Sequence, residues 1–366
     1  MVDVNTKAPG KLYVAGEYAV VEPGYSAIIT AVDLFIYLNL SDTTKNYGTI
    51  YSEGFTKEAI RWVRVDNKVN LKETSTSLKY VLTAIHTTED YVSDLGLPLK
   101  NYDLHITSDL KNETGRKLGL GSSGAVTVAT IQGILELYNI PPSDDLVYKL
   151  SVLTQLQLGI NSSFGDLAAI AYTGWIQYTS FDRETVLENF QLYSIKEVVE
   201  MDWPHLKIER LKIPDEINFL IGWTGSPASS DQLVGEVQER KAQSVEQYQQ
   251  FLMDSKAAVQ QLATALLENN QQNIIQAVNH NREALLYMGQ QTNVLIETPM
   301  LTTLIEIAKK YHGTAKTSGA GGGDSGIAFI FEEDLVAAVL SEWEAAGITN
   351  LPLSIYSKDN LFNGGY

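Results

Sequence analysis

The chain has 366 residues, 44% hydrophobic and 19% charged, enough apolar content for a sizeable core and about two domains. Its 27 basic and 44 acidic residues leave a net charge of −17, a field that repels nucleic acids and anionic membranes. It has no cysteine, which excludes disulfides, thiolate nucleophiles and Cys-ligated metal centres.

In chain order, Leu12–Val14, Ser26–Leu40, Gly48–Ser52, Arg61–Val65 and Tyr102–Ile106 predict strands, being rich in Val, Ile, Tyr and Thr. Thr76–His86, Gly124–Tyr138 and Leu146–Leu158 predict helices. Two prolines around the charged stretch Trp203–Pro214 predict a boundary. Beyond it come a strand at Ile217–Trp223, long helical patterns at Gln232–Asn269 and Gln272–Met288, and a helix at Pro299–Tyr311. A strand at Gly326–Phe331, a helix at Glu333–Ala346 and a terminal strand near Leu353–Tyr356 complete an α+β second half. Gln243, Gln247, Gln250, Gln260 and Gln261 read as a solvated helix face. The longest apolar stretches are broken by Asp33 or Asp166, too short for a membrane span. Asp3 and Lys7 leave no apolar signal segment, so a cytoplasmic setting is expected. The histidines are scattered, with no His-x-x-x-His pair.

Three segments carry chemistry. The first is Ala8-Pro9-Gly10-Lys11, which puts a lysine at the start of a short strand after a Pro-Gly turn. Taken alone it reads as a turn with a solvated lysine. The second is Lys117-Leu118-Gly119-Leu120-Gly121-Ser122-Ser123-Gly124, leading into an apolar helix. Glycines let backbone N–H groups approach an anion, and a helix N-terminus adds positive charge. Arg116 and Lys117 stand just upstream, so phosphate binding is the expectation. The hydroxyls of Ser122 and Ser123 suit capping, phosphate or Mg²⁺. The string also matches Gly-x-Gly-x-x-Gly, but the polar loop Lys111–Lys117 precedes it where a dinucleotide fold wants a buried strand. The third is the glycine-rich loop Lys316-Thr317-Ser318-Gly319-Ala320-Gly321-Gly322-Gly323-Asp324-Ser325-Gly326. It lies between a helix and a strand, as a packed loop rather than a linker. A fourth stretch, Gly159–Asp166, puts a carboxylate ahead of the apolar Leu167–Ala171; taken alone it reads as a helix N-cap.

Together these segments resemble the GHMP small-molecule kinases, the superfamily of galactokinase, homoserine kinase, mevalonate kinase and phosphomevalonate kinase. The segment Gly10–Gly24, Gly222-Trp223-Thr224 with Ser229-Ser230, and Gly323-Asp324-Ser325-Gly326 resemble its bacterial phosphomevalonate kinase branch in particular. The resemblance implies an α+β, two-domain GHMP kinase fold. Residues 1–200 would form a domain like the second domain of ribosomal protein S5, and residues 201–366 a ferredoxin-like domain. It implies ATP and Mg²⁺ as cofactors and phosphomevalonate as the small-molecule acceptor, with no nucleic-acid or membrane partner.

The resemblance also implies roles by position. Lys11 and Asp166 are the catalytic pair. Lys117, Gly119, Leu120, Gly121, Ser122, Ser123 and Gly124 hold the ATP phosphates, and Ser123 is a Mg²⁺ ligand. Lys11, Tyr18, Lys117, Ser163, Asp166, Ser230, Ser318, Gly319 and Ala320 contact the acceptor or the transferred phosphate. One departure stands out: mevalonate kinase-like relatives carry an acidic Mg²⁺ ligand in the helix before the aspartate, and Ser151–Asn161 has no Asp or Glu. A sister kinase for mevalonate, or a non-catalytic ligand sensor on the same fold, are the alternatives.

Overall fold

The computed structural model describes residues 2–53, 56–72, 78–110, 118–213, 217–225, 230–243 and 245–359, without the side chains of Ser230, Asp231 and Gln243. Two long strands, β1 (Asp3–Ala15) and β2 (Ser26–Thr43), pair antiparallel and form the spine of the first sheet. The other edge of β2 is shared by β6 (Asn101–Ser108) and β7 (Trp175–Thr179). Beyond β6 lie β3 (Gly48–Ser52), β4 (Ile60–Val65) and β5 (Lys68–Leu71), and beyond β7 lies β8 (Lys207–Leu211). The β3–β6 pair is parallel and every other pair antiparallel.

The expected Pro-Gly turn ahead of Lys11 is not a turn. β1 runs straight through it, and its register with β2 shifts between Pro9 and Gly10. Proline has no N–H for a regular ladder, and a bulge absorbs that defect. Lys11 therefore stands within a long strand, where the sheet fixes its direction.

Helices α1 (Lys79–Asp94), α2 (Ser122–Leu137), α3 (Asp144–Gln157) and α4 (Gly165–Tyr172) form the layer over this sheet. α1 runs on well past the expected His86. α2 packs against β1, β2, α1, α3 and α4, which explains an apolar sequence with no polar face. Each Ile, Leu or Val it buries contributes roughly 1.5–3 kcal/mol, which outweighs the weak helix propensity of its β-branched residues. α5 (Arg183–Leu192) and α6 (Ile195–Glu200) follow, the latter opened by a capping box of Ser194 and Glu197. β8 carries the first sheet beyond the expected 200/201 division, through part of the Trp203–Pro214 boundary stretch. Its burial has no period-2 alternation, so sequence pattern does not mark it.

The second sheet has the order β10 (Thr314–Thr317), β11 (Ser325–Ile330), β9 (Asn218–Trp223), β12 (Thr349–Asn350), all antiparallel. With α10 (Pro299–Lys310) before β10 and α11 (Glu333–Ala345) before β12, this is the ferredoxin-like arrangement. Between β9 and α10 the chain inserts α7 (Ser230–Arg240), α8 (Val245–Leu267) and α9 (Gln271–Thr292). The expected continuous helical stretch Gln232–Asn269 is thus interrupted, with a 3₁₀ turn at Lys241–Gln243. Gln247 is half-buried and Gln250, Gln260 and Gln261 are exposed, in keeping with a solvated face.

The expected terminal strand near Leu353–Tyr356 is reduced to a single bridge, Val32 to Ile355. The tail nonetheless returns to the first domain. Tyr356 N–H donates to the Ala31 carbonyl at 3.0 Å and its own carbonyl accepts from Gly174 at 2.7 Å. Lys358 Nζ donates to the Ala171 carbonyl at 3.0 Å. One apolar core runs across both sheets, joining Ile221, Trp223, Ile327 and Phe329 to the first-domain residues. Among the described residues no helix is long and apolar enough to cross a membrane.

Candidate active site

A cleft of about 310 Å³ lies where three segments meet: the β1 strand with the turn after it, the loop into α2, and the loop between β10 and β11. The loop from α3 to α4 forms its remaining wall.

The Lys11 N–H donates to the Leu120 carbonyl at 2.9 Å, tying strand to loop. Gly119 and Gly121 hold φ values of +74° and +82°, which only glycine adopts without strain. A Cβ on Gly121 would lie 3.0 Å from Lys11 Cε, and one on Gly119 would lie 2.6 Å from Asp324 Cγ. The loop therefore closes on Lys11 at one glycine and on Asp324 at the other. Gly121 is the N-cap of α2 and makes no side-chain cap, so the first-turn N–H groups of this helix face an anion site. Lys11 Nζ donates to the Gly119 carbonyl at 3.4 Å. Burial pushes the Lys11 ammonium below the usual lysine range, and the carboxylates of Asp166 and Asp324 oppose that shift.

Asp166 sits in the first turn of α4 and is not its N-cap; that position belongs to Phe164, in a left-handed conformation with φ 59°. Such a residue costs roughly 1–3 kcal/mol and needs its surroundings to hold it. Here Phe164 stacks on Phe181 and its N–H donates to Ser162 Oγ at 3.2 Å. Tyr178 OH donates to the Ser163 carbonyl at 2.6 Å, and Tyr148 OH donates to Tyr178 OH at 3.0 Å. Tyr13 OH and Ser163 Oγ are 2.9 Å apart. Arg183 donates to the carbonyls of Ser162 and Val21, each at 3.0 Å, and to Asn161 Oδ1. The α3–α4 loop is thus braced from two sides, and Asp166 is aimed at the N-terminal end of α2.

The third wall is the glycine-rich loop. Ser318 Oγ donates to the Tyr13 carbonyl at 2.7 Å, and Tyr18 OH donates to the Ala320 carbonyl at 2.6 Å. Thr224 holds the Asp324 carbonyl through its N–H and its hydroxyl, at 2.8 and 2.9 Å.

Most expected site residues converge here. Lys11, Tyr18, Ser163 and Asp166 line the cleft, as do Gly119, Leu120, Gly121, Ser122 and Ser123, with Gly319 and Ala320 opposite. Ser318 stands behind the lining, its hydroxyl spent on Tyr13. Gly124 is buried beneath it, where a Cβ would lie 2.9 Å from Ile170 Cδ1 and 3.0 Å from Asp166 Oδ2. Lys117 lies outside the described residues, as do Arg116 and Ser229. Ser230 opens α7, and its side chain lies outside them too; Val234 of that helix lines the cleft.

The sequence reading missed Tyr13, Glu17, Tyr80, Gln155, Asn161 and Asp324 as lining residues. Tyr13 was findable, two residues from Lys11 on the same strand face. Asp324 ends a glycine run that was already singled out. Tyr80 carries no local signal. Among the described residues no three His, Cys, Asp or Glu side chains gather into a metal cage. The oxygen donors near the helix N-terminus are the hydroxyls of Ser122 and Ser123 and the carboxylates of Asp166 and Asp324, a set that suits a hard cation bound largely through phosphate.

Gly121→Ala tests the loop geometry. The added methyl both strains a left-handed position, by about 1–2 kcal/mol, and displaces Lys11. The expected result is a melting temperature lower by a few degrees and turnover reduced by about 10-fold or more. A wild-type rate in a steady-state assay would show that this contact does not set the position of Lys11.

The chain matches known proteins along its length. Residues 79–174 match the GHMP kinases N terminal domain and residues 262–349 the GHMP kinases C terminal domain. It is 35% identical to the phosphomevalonate kinase of Streptomyces sp. (strain CL190), over 95% of this chain and 96% of that one. Its structure is similar to that of the Lin0012 protein from Listeria innocua, with TM-score 0.91 and 34% identity, covering 97% of this chain and 98% of that one. It is also similar to Streptococcus pneumoniae phosphomevalonate kinase in complex with phosphomevalonate and AMPPNP, with TM-score 0.86 and 31% identity, covering 96% of this chain and 100% of that one.

Proposed function

The chain belongs to the GHMP kinase family, and from that premise we propose that it transfers the terminal phosphoryl group of ATP to (R)-5-phosphomevalonate, giving 5-diphosphomevalonate and ADP. An oxygen of the acceptor's phosphate forms a bond to the γ-phosphorus. The bond from that phosphorus to the β–γ bridging oxygen breaks, and its electron pair leaves with ADP.

The observation that carries this reading is one cleft lined jointly by an uncapped helix N-terminus, by Lys11, and by a closing loop that presents Gly319, Ala320 and Asp324. Two anions have to be brought together there, so catalysis is positioning and charge neutralisation. In this reading the backbone of Gly119–Gly124, with Ser122 and Lys117, holds the ATP phosphates. Lys11 meets the transferring phosphoryl group. Tyr18, Lys117, Ser163, Ser230, Ser318, Gly319 and Ala320 hold the acceptor. α3 presents Gln155 to the cleft, not a carboxylate. A neutral wall suits an acceptor that brings its own negative charge.

The residues present fit Mg²⁺ held chiefly through phosphate oxygens and water, with Ser123 as its protein ligand. When bound, the ion offsets the donor's charge. The acceptor phosphate has a second pKa of about 6 and is already dianionic at neutral pH, so a general base has little left to remove. Asp166 then serves chiefly to hold Lys11 by an ion pair. A cytoplasmic setting is part of the same proposal.

The test is a coupled ADP-release assay with ATP and Mg²⁺, comparing mevalonate, phosphomevalonate and diphosphomevalonate. Turnover with phosphomevalonate alone is expected. Turnover with mevalonate alone would overturn the assignment, and no turnover with any of the three would favour a ligand sensor.

A further inference from the structure

An ion pair that no step of the proposed reaction uses joins Glu17, in the cleft wall, to Lys316 behind it. Lys316 Nζ and Glu17 Oε1 are 2.5 Å apart, with side chains 0% and 2% exposed. Glu17 belongs to the turn that follows β1, and Lys316 stands on β10 in the other domain. Lys316 is register-paired with Ile327, and Ile327 with Ile221; both isoleucines belong to the core shared by the two domains. The charges therefore sit inside the apolar layer that joins the domains. Burial pushes the Lys316 ammonium below the usual lysine range, and the Glu17 carboxylate opposes that.

Stability is a poor reason for such a pair. Replacing a buried ion pair by neutral side chains of similar size is often neutral or stabilising, whereas removing one partner alone is costly. Its position suggests another reason. Lys316 Nζ also donates to the Thr317 carbonyl at 2.6 Å, immediately before the glycine-rich loop. Two further bonds join the same stretches, Ser318 Oγ to the Tyr13 carbonyl and Tyr18 OH to the Ala320 carbonyl. All three anchors run between Tyr13–Tyr18 and Lys316–Ala320, and the lining of the cleft draws on both stretches.

We propose that Glu17 and Lys316 are positioning residues: the pair docks the base of the Ser318–Asp324 loop on the first domain and so sets where that loop meets the acceptor. The proposal rests on the kinase reading for its kinetic consequence, but not for its structural one. Charge fixes the separation of the two stretches, because a buried ammonium finds its counter-charge at one distance only. Glu17 Oε2 is buried and has no hydrogen-bond partner among the described residues, so the engagement of this carboxylate on the protein side is through Lys316.

The experiment compares wild type with Glu17→Gln, Lys316→Met, the double variant Glu17→Gln/Lys316→Met, and Glu17→Asp. Melting temperature, steady-state kinetics and amide hydrogen exchange of residues 318–324 are measured for each. Each neutralising single variant is expected to melt lower than wild type, and the double variant to recover most of the loss. The double variant and Glu17→Asp are nevertheless expected to lose about 10-fold or more in kcat/KM for the acceptor, with KM for ATP nearly unchanged. The loop amides should exchange faster in both. Wild-type acceptor kinetics and wild-type loop exchange in these two variants would overturn the proposal and leave the pair a purely structural one. The exchange readout needs no turnover, and the kinetic comparison uses whichever acceptor wild type accepts. Failure of the substrate assignment is therefore distinguishable from failure of the positioning role.

Discussion

Lys11→Met is expected to lower kcat by about 10²-fold or more while leaving ATP binding largely intact. The strand holds Lys11 in place through its N–H bond to the Leu120 carbonyl, so the substitution leaves the backbone frame unchanged. The α2 N-terminus and its glycine loop also remain, and these groups meet a nucleotide's phosphates in the ground state. What methionine removes is a cation favoured by both Asp166 and Asp324 and bonded to the Gly119 carbonyl. As the phosphoryl group moves between two anions, that cation gains interaction energy, and such a differential gain raises kcat rather than affinity. Single-turnover kinetics and a nucleotide titration separate the two quantities. Unchanged turnover would remove Lys11 from the mechanism.

Asp166→Asn is expected to cost about 10²-fold in kcat, with a pH–rate profile of wild-type shape. The amide keeps the size of the side chain and loses its charge. Lys11 then loses the pull of one of the two carboxylates that favour its charged form. A role as general base predicts a different result. In that case the lost rate would return at high pH, as solvent hydroxide replaces the missing base. The two outcomes are read from the same series of assays, and recovery at high pH would contradict the orienting role.

Much of the cleft was legible because its chemistry is local. Glycines at 119 and 121, followed by serines and an apolar run, specify a helix N-terminus open to anions without any knowledge of the fold. The glycine run at 319–323 marks a packed loop for the same reason. Features that depend on distant partners were not legible. Pro9-Gly10 reads locally as a turn, and only the register against β2 turns it into a bulge. β8 exposes most of its residues and is a strand because β7 offers it an edge. The near-alternating run at Leu353–Tyr356 looks like a strand, yet it finds a single bridge partner. Glu17 and Lys316 lie far apart in sequence, and neither is unusual in its neighbourhood. Asp166 shows a mixed case: the carboxylate at a helix start was visible, while the left-handed Phe164 that aims it depends on Phe181 and Tyr178.

The returning tail has a mechanical consequence. The chain leaves the first domain after β8 and, after β12, comes back to lie against Ala31, Val32 and Gly174. The second domain is therefore tethered to the first on both sides in sequence, in addition to the apolar core and hydrogen bonds they share. A segment held at both ends gains less conformational freedom on opening than one with a free end, so this mooring adds to what the shared apolar core contributes.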